Sequence, residues 1–295
     1  MLTVAYLGPE HTNTHLAAQA KFGRRANYVH APTVDDVFHM VERQQADHGV
    51  VPVENSLEGA VTHTLDRFID FQHSPVQIQG EMEQQIQHHL IVHLRTKNVS
   101  RLKEVYSHPQ ALAQCRHWLD KNLPHVHRRE TNSTAEAVNA ILNPLVMTSI
   151  STSIFGGPTK TTTGPQPFER AAIARIEVVK KRKLRAIPIP DDRDNKTRFL
   201  ILGLGEPRRG HRNKTSILLA LKDRPGALYD ALMPFKREKI NLTKIESRPS
   251  KKKAWEYDFF IDLEGHESEP RVTRALQALS RFTLLLRVLG SYPVR

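Results

Sequence analysis

Residues 194–199 read Asp194-Asn195-Lys196-Thr197-Arg198-Phe199 and lead directly into the apolar run Leu200-Ile201-Leu202. A polar turn followed by an apolar run predicts a strand, in which Thr197 and Phe199 share one face and Arg198 occupies the other. A hydroxyl beside an aromatic ring is suited to an anionic ring compound. When the stretch is taken alone, a plain strand that starts after a turn is favoured, so the interpretation depends on the other motifs in the chain.

The N-terminal part of the chain alternates strands and helices. Apolar alternation predicts strands at 3–7, 28–30 and 49–53, and helical spacing predicts helices over 14–22 and from Thr33 onward. The unit recurs, with strands predicted at 104–106 and 126–129 and helices at 110–122 and 134–141. This order predicts an α/β fold with a mostly parallel sheet.

Polar loops follow several of these strands, namely Gly8–Thr14, Glu54–Gly59, Ser107–Gln110 and Asn132–Thr134. In open α/β sheets, ligands bind outside the carboxyl ends of strands, where helix N-termini present N–H groups to anions. Ordinary helix capping explains each loop on its own. Taken together, the loops predict two lobes that face each other across one anion-binding cleft.

From Thr215 onward the pattern is that of a small βαββαβ module. Strands are predicted at 217–221, 242–247, 255–263 and 283–288, and helices at 227–238 and 270–279. This order is typical of a ferredoxin-like domain. The predicted boundaries are a first domain over 1–204, a linker over 205–213 and a second domain over 214–295. The lobes of the first domain are predicted at approximately 1–80 plus 175–204, and 81–174.

The formal net charge of +12 raises nucleic acid as a possible partner. The densest basic runs are Lys180-Lys181-Arg182-Lys183 and Lys251-Lys252-Lys253, and neither carries interleaved aromatic residues for base stacking. We therefore predict no nucleic-acid partner, and a solvated face or a field that attracts small anions explains the charge. No apolar run approaches the length of a membrane span, so no membrane association is predicted.

Cysteine and histidine usage limits the possible chemistry. Cys115 is the only cysteine, which excludes intramolecular disulfides and predicts a cytoplasmic location. We predict that it is a core residue and not a nucleophile, because no base is paired with it. His11 and His15 have the spacing of a helical zinc pair, but the glutamate of that motif is missing, and we predict no metal site.

The motifs, in this order, resemble those of prephenate dehydratase with a C-terminal ACT regulatory domain, over nearly the whole chain. In the first domain the similar stretches are Gly8-Pro9-Glu10-His11-Thr12, Val51-Pro52-Val53-Glu54-Asn55-Ser56 with Gly59, Ser107-His108-Pro109-Gln110-Ala111-Leu112, Ser133-Thr134-Ala135-Glu136-Ala137 and Asn195-Lys196-Thr197-Arg198-Phe199. In the second domain they are Gly226-Ala227-Leu228-Tyr229 and Glu246-Ser247-Arg248-Pro249, which resemble the family's phenylalanine-binding segments.

The chain also departs from the family pattern. The first loop normally continues Gly-Thr-Phe/Tyr-Ser, where this chain has His11-Thr12-Asn13-Thr14. The loop over 143–170 is longer than usual, and the stretch 178–183 is basic where the family carries apolar residues and a Tyr-Gly-Leu. Bifunctional members carry a helical mutase domain before the first strand, and we expect none here. These departures bear on the rate and on packing near the first loop more than on the reaction class.

The resemblance implies a two-lobed, periplasmic-binding-protein-like catalytic domain followed by a ferredoxin-like ACT domain. It implies conversion of prephenate to phenylpyruvate in L-phenylalanine biosynthesis, with feedback regulation by L-phenylalanine and with no cofactor. It also implies a homodimer or homotetramer. Two alternatives remain: arogenate dehydratase, whose substrate has an amino group in place of the keto oxygen, and a non-catalytic binding protein that senses amino acids or carboxylates.

Site residues follow from the matching motifs. Thr197 is the predicted catalytic donor to the departing hydroxyl, and Phe199 is the predicted apolar wall beside it. The predicted substrate-binding residues are Thr12, Glu54, Asn55, Ser56, Gly59, Ser107, His108, Gln110, Ser133, Thr134 and Arg198. The predicted effector-binding residues are Gly226, Ala227, Leu228, Glu246, Ser247, Arg248 and Pro249.

Charged members of this set have open roles. Glu54 would repel a dianion if it were ionised and exposed, so we expect it to orient its neighbours or to be neutralised by a base. Arg198 either anchors a substrate carboxylate or forms a structural ion pair, because strand alternation points it away from Thr197. His108 either holds its loop or touches the substrate.

Overall fold

In the computed structural model of the chain, the N-terminal residues form the predicted alternation of strands and helices. The elements are β1 (Thr3–Leu7), α1 (Asn13–Phe22), β2 (Asn27–Ala31), α2 (Val34–Glu42), β3 (His48–Asn55), β4 (Gly59–Ala60), α3 (Thr62–Asp70) and β5 (Val76–Gln85). Two reciprocal hydrogen bonds fix the start of α2. The hydroxyl of Thr33 accepts the N–H of Asp36 at 3.1 Å, and the Asp36 carboxylate accepts the N–H of Thr33 at 3.1 Å.

The structure describes residues 1–10, 12–71, 73–142, 165–176, 184–189, 195–250 and 257–294. His11, the basic runs 180–183 and 251–253, and most of the 143–170 loop lie outside these ranges. The described chain divides into two compact units, one made of residues 1–84 with 196–295 and the other of residues 85–195.

The second unit is a five-stranded mixed sheet with helices. Its elements are β6 (His89–His93), β7 (Glu104–Ser107), α4 (Pro109–Gln114), α5 (Arg116–Asn122), β8 (His127–Glu130), α6 (Thr134–Leu142), β9 (Arg170–Ala174) and β10 (Leu184–Pro188). The strand order is β10-β6-β9-β7-β8, with parallel pairing of β7 to β8 and β9 and antiparallel pairing elsewhere. The single helix predicted over 110–122 is two helices that meet at Cys115, whose backbone leaves the helical region (φ −93°, ψ 12°). Cys115 is buried in the core of this unit, as predicted.

The chain returns to the first unit with β11 (Lys196–Leu204), which pairs antiparallel with β3 and gives the order β2-β1-β3-β11-β5. The first sheet is therefore mixed and not mostly parallel, because its fourth strand enters from the opposite end. β10 pairs with β6, so this part of the stretch 175–204 lies in the second sheet, whereas the sequence-based boundary placed it in the first lobe.

The C-terminal module has the predicted βαββαβ order. It comprises β12 (Asn213–Leu221), α7 (Ala227–Arg237), β13 (Leu242–Pro249), β14 (Tyr257–Glu264), α8 (Pro270–Leu279) and β15 (Thr283–Pro293), with strand order β13-β14-β12-β15. Among the described helices, none has the length and apolar content that a membrane crossing requires.

The strand β12 is buried on both faces of the C-terminal sheet, and its alternate residues face opposite ways. Ile217 and Leu219 pack with residues of α7 and α8, whereas Leu218 packs with residues of the first sheet. The contact with the first sheet is close at Gly290, where an added Cβ would lie 2.1 Å from the backbone oxygen of Ile78. The C-terminal module and the N-terminal sheet thus share one core within the first unit.

Candidate active site

The centre of the candidate site is a hydrogen bond between Asn55 and Thr197, which are register partners on β3 and β11. The side-chain amide of Asn55 donates from Nδ2 to Thr197 Oγ1 at 3.0 Å, and both residues are buried. Asn55 Oδ1 accepts the backbone N–H groups of Leu57 at 3.0 Å and Glu58 at 3.2 Å, which fixes the orientation of the amide. Because Asn55 donates to the hydroxyl oxygen, the O–H of Thr197 can donate to another group.

The turn after β3 fastens the start of β11. The N–H of Ser56 donates to the backbone oxygen of Lys196 at 2.8 Å, and the N–H of Lys196 donates to Ser56 Oγ at 2.9 Å. Gly59, the register partner of Asn55 on β4, has a φ of +83° that a side chain would strain. A register shift between Arg198 and Phe199 marks a β-bulge beside Thr197, a feature common next to active sites.

Three predicted motifs of the first unit lie at one edge of its sheet. β1 and β3 are parallel neighbours, so the loops that follow them leave from the same edge, where the antiparallel β11 begins. Thr12 caps α1 there: its hydroxyl accepts the N–H of His15 at 3.3 Å and donates to the backbone oxygen of Leu7 at 3.2 Å. The hydroxyl of Thr12 is thus held by backbone groups of its own loop.

Phe199 has no exposed surface and packs in a core cluster that contains Tyr6, Val50 and Ile201. The ring thus supports the strand that carries Thr197. Its role as a wall for a bound substrate stays a prediction.

The predicted residues of the second unit also share one sheet edge, because β7 and β8 are parallel neighbours. Ser107 is fully buried and its hydroxyl donates to the backbone oxygen of Ile173 at 2.7 Å. His108 caps α4 by accepting the N–H of Gln110 at 3.3 Å, so it holds its loop. Ser133 Oγ accepts the N–H of Glu136 at 3.0 Å, and Thr134 begins α6. Contact of these residues with a substrate stays a prediction.

Arg198 forms a structural ion pair, one of the two roles that the sequence left open. Its guanidinium, with an 11% exposed side chain, contacts Glu54 at 2.8 Å, Glu81 at 2.9 Å and Asp262 at 2.8 Å. Burial opposes its charge, but the carboxylates of Asp262 and Glu81 outweigh burial and raise the pKa of Arg198. Arg198 is therefore charged, and its donors are engaged with protein carboxylates.

Glu54 is neutralised by bases, which is one of the two outcomes that the charge argument allowed. Arg198 and Lys244 approach its two oxygens at 2.8 and 3.1 Å. Burial raises the pKa of Glu54, but hydrogen bonding to Arg198 and the charges of Arg198 and Lys244 outweigh burial, so its pKa lies below the ordinary carboxyl value.

This lowered pKa predicts a pH-dependent stability difference. Glu54→Gln should lower the urea midpoint of unfolding at pH 7, because the ionised carboxylate is stabilised in the folded state. The stabilisation is complete above the unfolded carboxyl pKa of about 4.3 and is lost as the pH falls through the lower pKa of the folded state, so the difference between the two proteins should shrink as the pH falls below about 4.3. Urea titrations from pH 7 to pH 3 measure this, with Glu206→Gln, an exposed linker carboxylate, as control. A constant difference across this range would contradict a charge origin.

The sequence analysis did not identify the residues that surround the ion pair of Arg198 and Glu54. Glu81 lies on β5, Lys214 and Lys244 on β12 and β13, and Asp262 on β14. The available signal was an acidic residue inside an otherwise apolar strand, Phe259-Phe260-Ile261-Asp262-Leu263. A charge that is buried in a core strand requires a partner.

The two predicted effector segments lie at one edge of the C-terminal sheet. Asp258 of β14 is the register partner of both Ala220 on β12 and Arg248 on β13, so the loop after β12 and the end of β13 are close. Gly226 caps the start of α7 in the left-handed conformation, with φ of +79°, and is followed by Ala227 and the 36% exposed Leu228. Glu246, Ser247 and Pro249 lie on β13 with Arg248. The guanidinium of Arg248 binds both oxygens of Asp66 on α3, at 2.9 and 3.1 Å.

Within the described residues, no group of three or more His, Cys, Asp or Glu side chains is arranged to hold a metal ion. The chemistry that the described site offers is hydrogen-bond donation from Thr197 and Asn55 at the end of a sheet.

Two protein families match the chain in sequence. The family described as prephenate dehydratase matches residues 4–207, and the family described as ACT domain matches residues 215–281. The match boundaries fall close to the predicted linker.

Individual proteins are similar over nearly the whole chain. The bifunctional chorismate mutase/prephenate dehydratase of Aquifex aeolicus is 46% identical over 295 residues, covering 99% of this chain and 74% of that protein. The prephenate dehydratase of Bacillus subtilis is 33% identical, with 99% and 98% covered. A solved structure of prephenate dehydratase from Arthrobacter aurescens in complex with L-Phe is 31% identical with a TM-score of 0.83, and the match covers 99% of this chain and 90% of that one.

Proposed function

Because this chain belongs to the prephenate dehydratase family, we propose that it converts prephenate to phenylpyruvate, as a carbon–oxygen lyase of L-phenylalanine biosynthesis. The observation that carries the proposal is the buried hydrogen bond from Asn55 Nδ2 to Thr197 Oγ1 at 3.0 Å. This hydrogen bond positions the hydroxyl of Thr197, which belongs to the family's catalytic motif, and leaves its proton able to be donated.

The reaction needs one proton, which must reach the departing hydroxyl oxygen of prephenate. Prephenate is a dianion that loses its ring carboxylate as CO2; the electron pair of the breaking C–C bond enters the ring and expels the ring hydroxyl. Thr197 donates its proton to the departing oxygen, which leaves as water, and Thr197 is then reprotonated by solvent. The ordinary pKa of a threonine hydroxyl is too high for bulk proton donation, so Thr197 acts only as a positioned donor. Such acid assistance contributes about 10²–10⁴-fold to the rate.

The remaining polar residues bind the substrate carboxylates. In the first unit the candidates are Asn55, Ser56 and backbone N–H groups at helix starts, which stabilise negative charge. In the second unit they are Ser107, His108, Gln110, Ser133 and Thr134, as the family motifs imply. Arg198 and Glu54 are outside this set, because each already has a charged protein partner.

The decisive experiment is an assay of the purified protein with prephenate, in which phenylpyruvate formation is followed. Formation of phenylpyruvate supports the proposal. A parallel assay with arogenate tests the alternative substrate: faster turnover of arogenate would make the protein an arogenate dehydratase. No turnover of either compound, together with retained binding of carboxylate ligands, would favour the sensor.

The ACT domain provides the regulation. The relative from Arthrobacter aurescens binds L-Phe, and we propose that L-phenylalanine binds here at Gly226–Leu228 and Glu246–Pro249. Its binding lowers dehydratase activity. Assembly as a homodimer or homotetramer and a cytoplasmic location remain predictions from the sequence.

Regulation of this kind makes a thermodynamic prediction. L-Phenylalanine and a non-reactive substrate analogue should weaken each other's binding by the same factor, because coupling between two sites is reciprocal; a factor of about 5–150 is typical. Calorimetric titration of each ligand, with and without a saturating amount of the other, measures both factors. Equal phenylalanine affinity in the presence and absence of the analogue would exclude the coupling.

A further inference from the structure

The candidate catalytic pair, Thr197 with Asn55, and the ion pair of Arg198 with Glu54 occupy adjacent positions on the same two strands. Thr197 is the register partner of Asn55, and Arg198 is the register partner of Glu54. Since successive side chains of a strand face opposite ways, the first pair faces one side of the sheet and the second faces the other. Any force on the ion pair therefore acts directly on the strand ends that hold Thr197 and Asn55.

On its own side of the sheet, the ion pair contacts the C-terminal module. Arg198 Nη1 lies 2.8 Å from Asp262 Oδ2 on β14, and Lys244 Nζ on β13 lies 3.1 Å from Glu54 Oε1. Glu81 of the first sheet joins the network through Arg198 at 2.9 Å and Lys214 at 2.6 Å. The exposed fractions of the Arg198, Asp262 and Lys244 side chains are only 11%, 10% and 8%. The bridging network consists of Arg198, Glu54, Glu81, Asp262, Lys214 and Lys244.

Asp262 is itself fixed within the C-terminal sheet. Its other oxygen, Oδ1, accepts the hydroxyl of Ser216 on β12 at 2.6 Å, and that hydroxyl lies 2.9 Å from the hydroxyl of the fully buried Tyr292. A movement of β12 or β14 therefore moves the carboxylate that holds Arg198. Separation of Asp262 from Arg198 is opposed because it would take the guanidinium away from the buried carboxylate of Asp262.

The strand that carries Lys244 also carries an effector segment. Lys244, Glu246 and Arg248 alternate along β13, so their side chains lie on one face. Lys244 contacts Glu54 of the first sheet, and Arg248 contacts Asp66 of α3. The edge strand β13 thus joins the predicted phenylalanine-binding segment to Glu54, which precedes Asn55 on β3.

We propose that Arg198 is a positioning residue that ties Thr197 to the ACT domain through Asp262, so that displacement of the ACT sheet shifts the Asn55–Thr197 pair. This inference rests on the proposed function for its kinetic consequences, and it supplies the physical route from effector site to catalytic hydroxyl. Displacements of about 1 Å are sufficient, since misplacement on that scale can cost about 10²-fold in rate.

The test replaces the anchor on the ACT side, where no catalytic group is touched. Asp262→Asn preserves the shape of the side chain but removes the one negative charge of the C-terminal module that contacts Arg198 in the described structure. The matched control is Asp66→Asn, which removes another ion pair between the C-terminal module and the N-terminal part; that pair ends on α3 and not on β11. The side chains of Asp66 and Asp262 are similarly buried, at 17% and 10% exposed.

In the prephenate assay, Asp262→Asn should lower kcat about tenfold with KM changed less than about twofold, because a donor needed in the transition state is misplaced. It should also raise the phenylalanine concentration for half-inhibition at least about fivefold. Asp66→Asn should keep kcat within about twofold of the unmodified protein. Equal losses of kcat in the two variants would assign the effect to general loosening and overturn the proposal.

A readout that is independent of turnover separates this proposal from the proposed function. In hydrogen exchange, the backbone amides of Ser56 and Lys196, which join the turn to β11, should exchange about tenfold faster in Asp262→Asn and at an unchanged rate in Asp66→Asn. Unchanged exchange in Asp262→Asn overturns the positioning role even if the protein is an active dehydratase. Failure of the unmodified protein to consume prephenate, with the exchange pattern as expected, overturns only the proposed function.

Discussion

Thr197→Ala should lower kcat for prephenate by about 10²–10⁴-fold, the largest catalytic effect expected for a single change in this chain. The alanine leaves the departing oxygen without a positioned donor, and it leaves Asn55 Nδ2 without the acceptor that lies 3.0 Å away. Thr197→Ser should retain most of the rate, because it keeps the hydroxyl and loses only a methyl group. Initial rates of phenylpyruvate formation measure both.

The control for Thr197→Ala is a buried hydroxyl in the same unit. Thr64 on α3 is fully buried and donates to the backbone oxygen of Pro52 at 2.6 Å. Thr64→Val should lower the free energy of unfolding by about 1–3 kcal/mol, as expected when the partner of a buried hydrogen bond is removed, and should leave kcat nearly unchanged. Equal rates for Thr197→Ala and the unmodified protein would remove Thr197 from the reaction.

Arg198→Met should lower the free energy of unfolding by about 3–5 kcal/mol, the largest stability effect expected from the charged residues. The change leaves the carboxylates of Glu54, Glu81 and Asp262 with only the ammonium groups of Lys214 and Lys244. The free energy of unfolding of Arg198→Lys should lie between those of Arg198→Met and the unmodified protein, because an ammonium restores the charge but cannot contact all three carboxylates. Urea unfolding at pH 7 measures the series.

The destabilisation by Arg198→Met should shrink as the pH falls below the unfolded carboxyl pKa of about 4.3. Protonation of Glu54 in the unmodified protein removes the stabilisation that its lowered pKa represents, so the loss of Arg198 then costs less. The matched control is Arg67→Met. Arg67 pairs with Asp35 and Asp70 near the surface, where its side chain is 22% exposed, and its loss should cost about 1 kcal/mol or less. Similar losses in the two arginine variants would contradict a special role for the bridging network.

The sequence was sufficient for those features that depend on local pattern. Strand alternation predicted that Arg198 faces away from Thr197, and helix capping at Thr33 predicted the start of α2; both are found. The βαββαβ order of the C-terminal module followed from the same rules. The pairing of β10 with β6 was not predicted, because the edge at which a strand joins a sheet is decided by contacts far along the chain.

By itself the sequence determined the order of the elements, the opposite facing of Thr197 and Arg198 on their strand, and the capping of α2 at Thr33. These depend on the side-chain types and on spacings of two to four residues. Only the tertiary structure decided which charges meet: Glu81 and Asp262 are 117 and 64 residues from Arg198 along the chain. The reason is physical, because ion pairing depends on distance through space and on burial. Both are fixed only after the C-terminal sheet has packed against the first one.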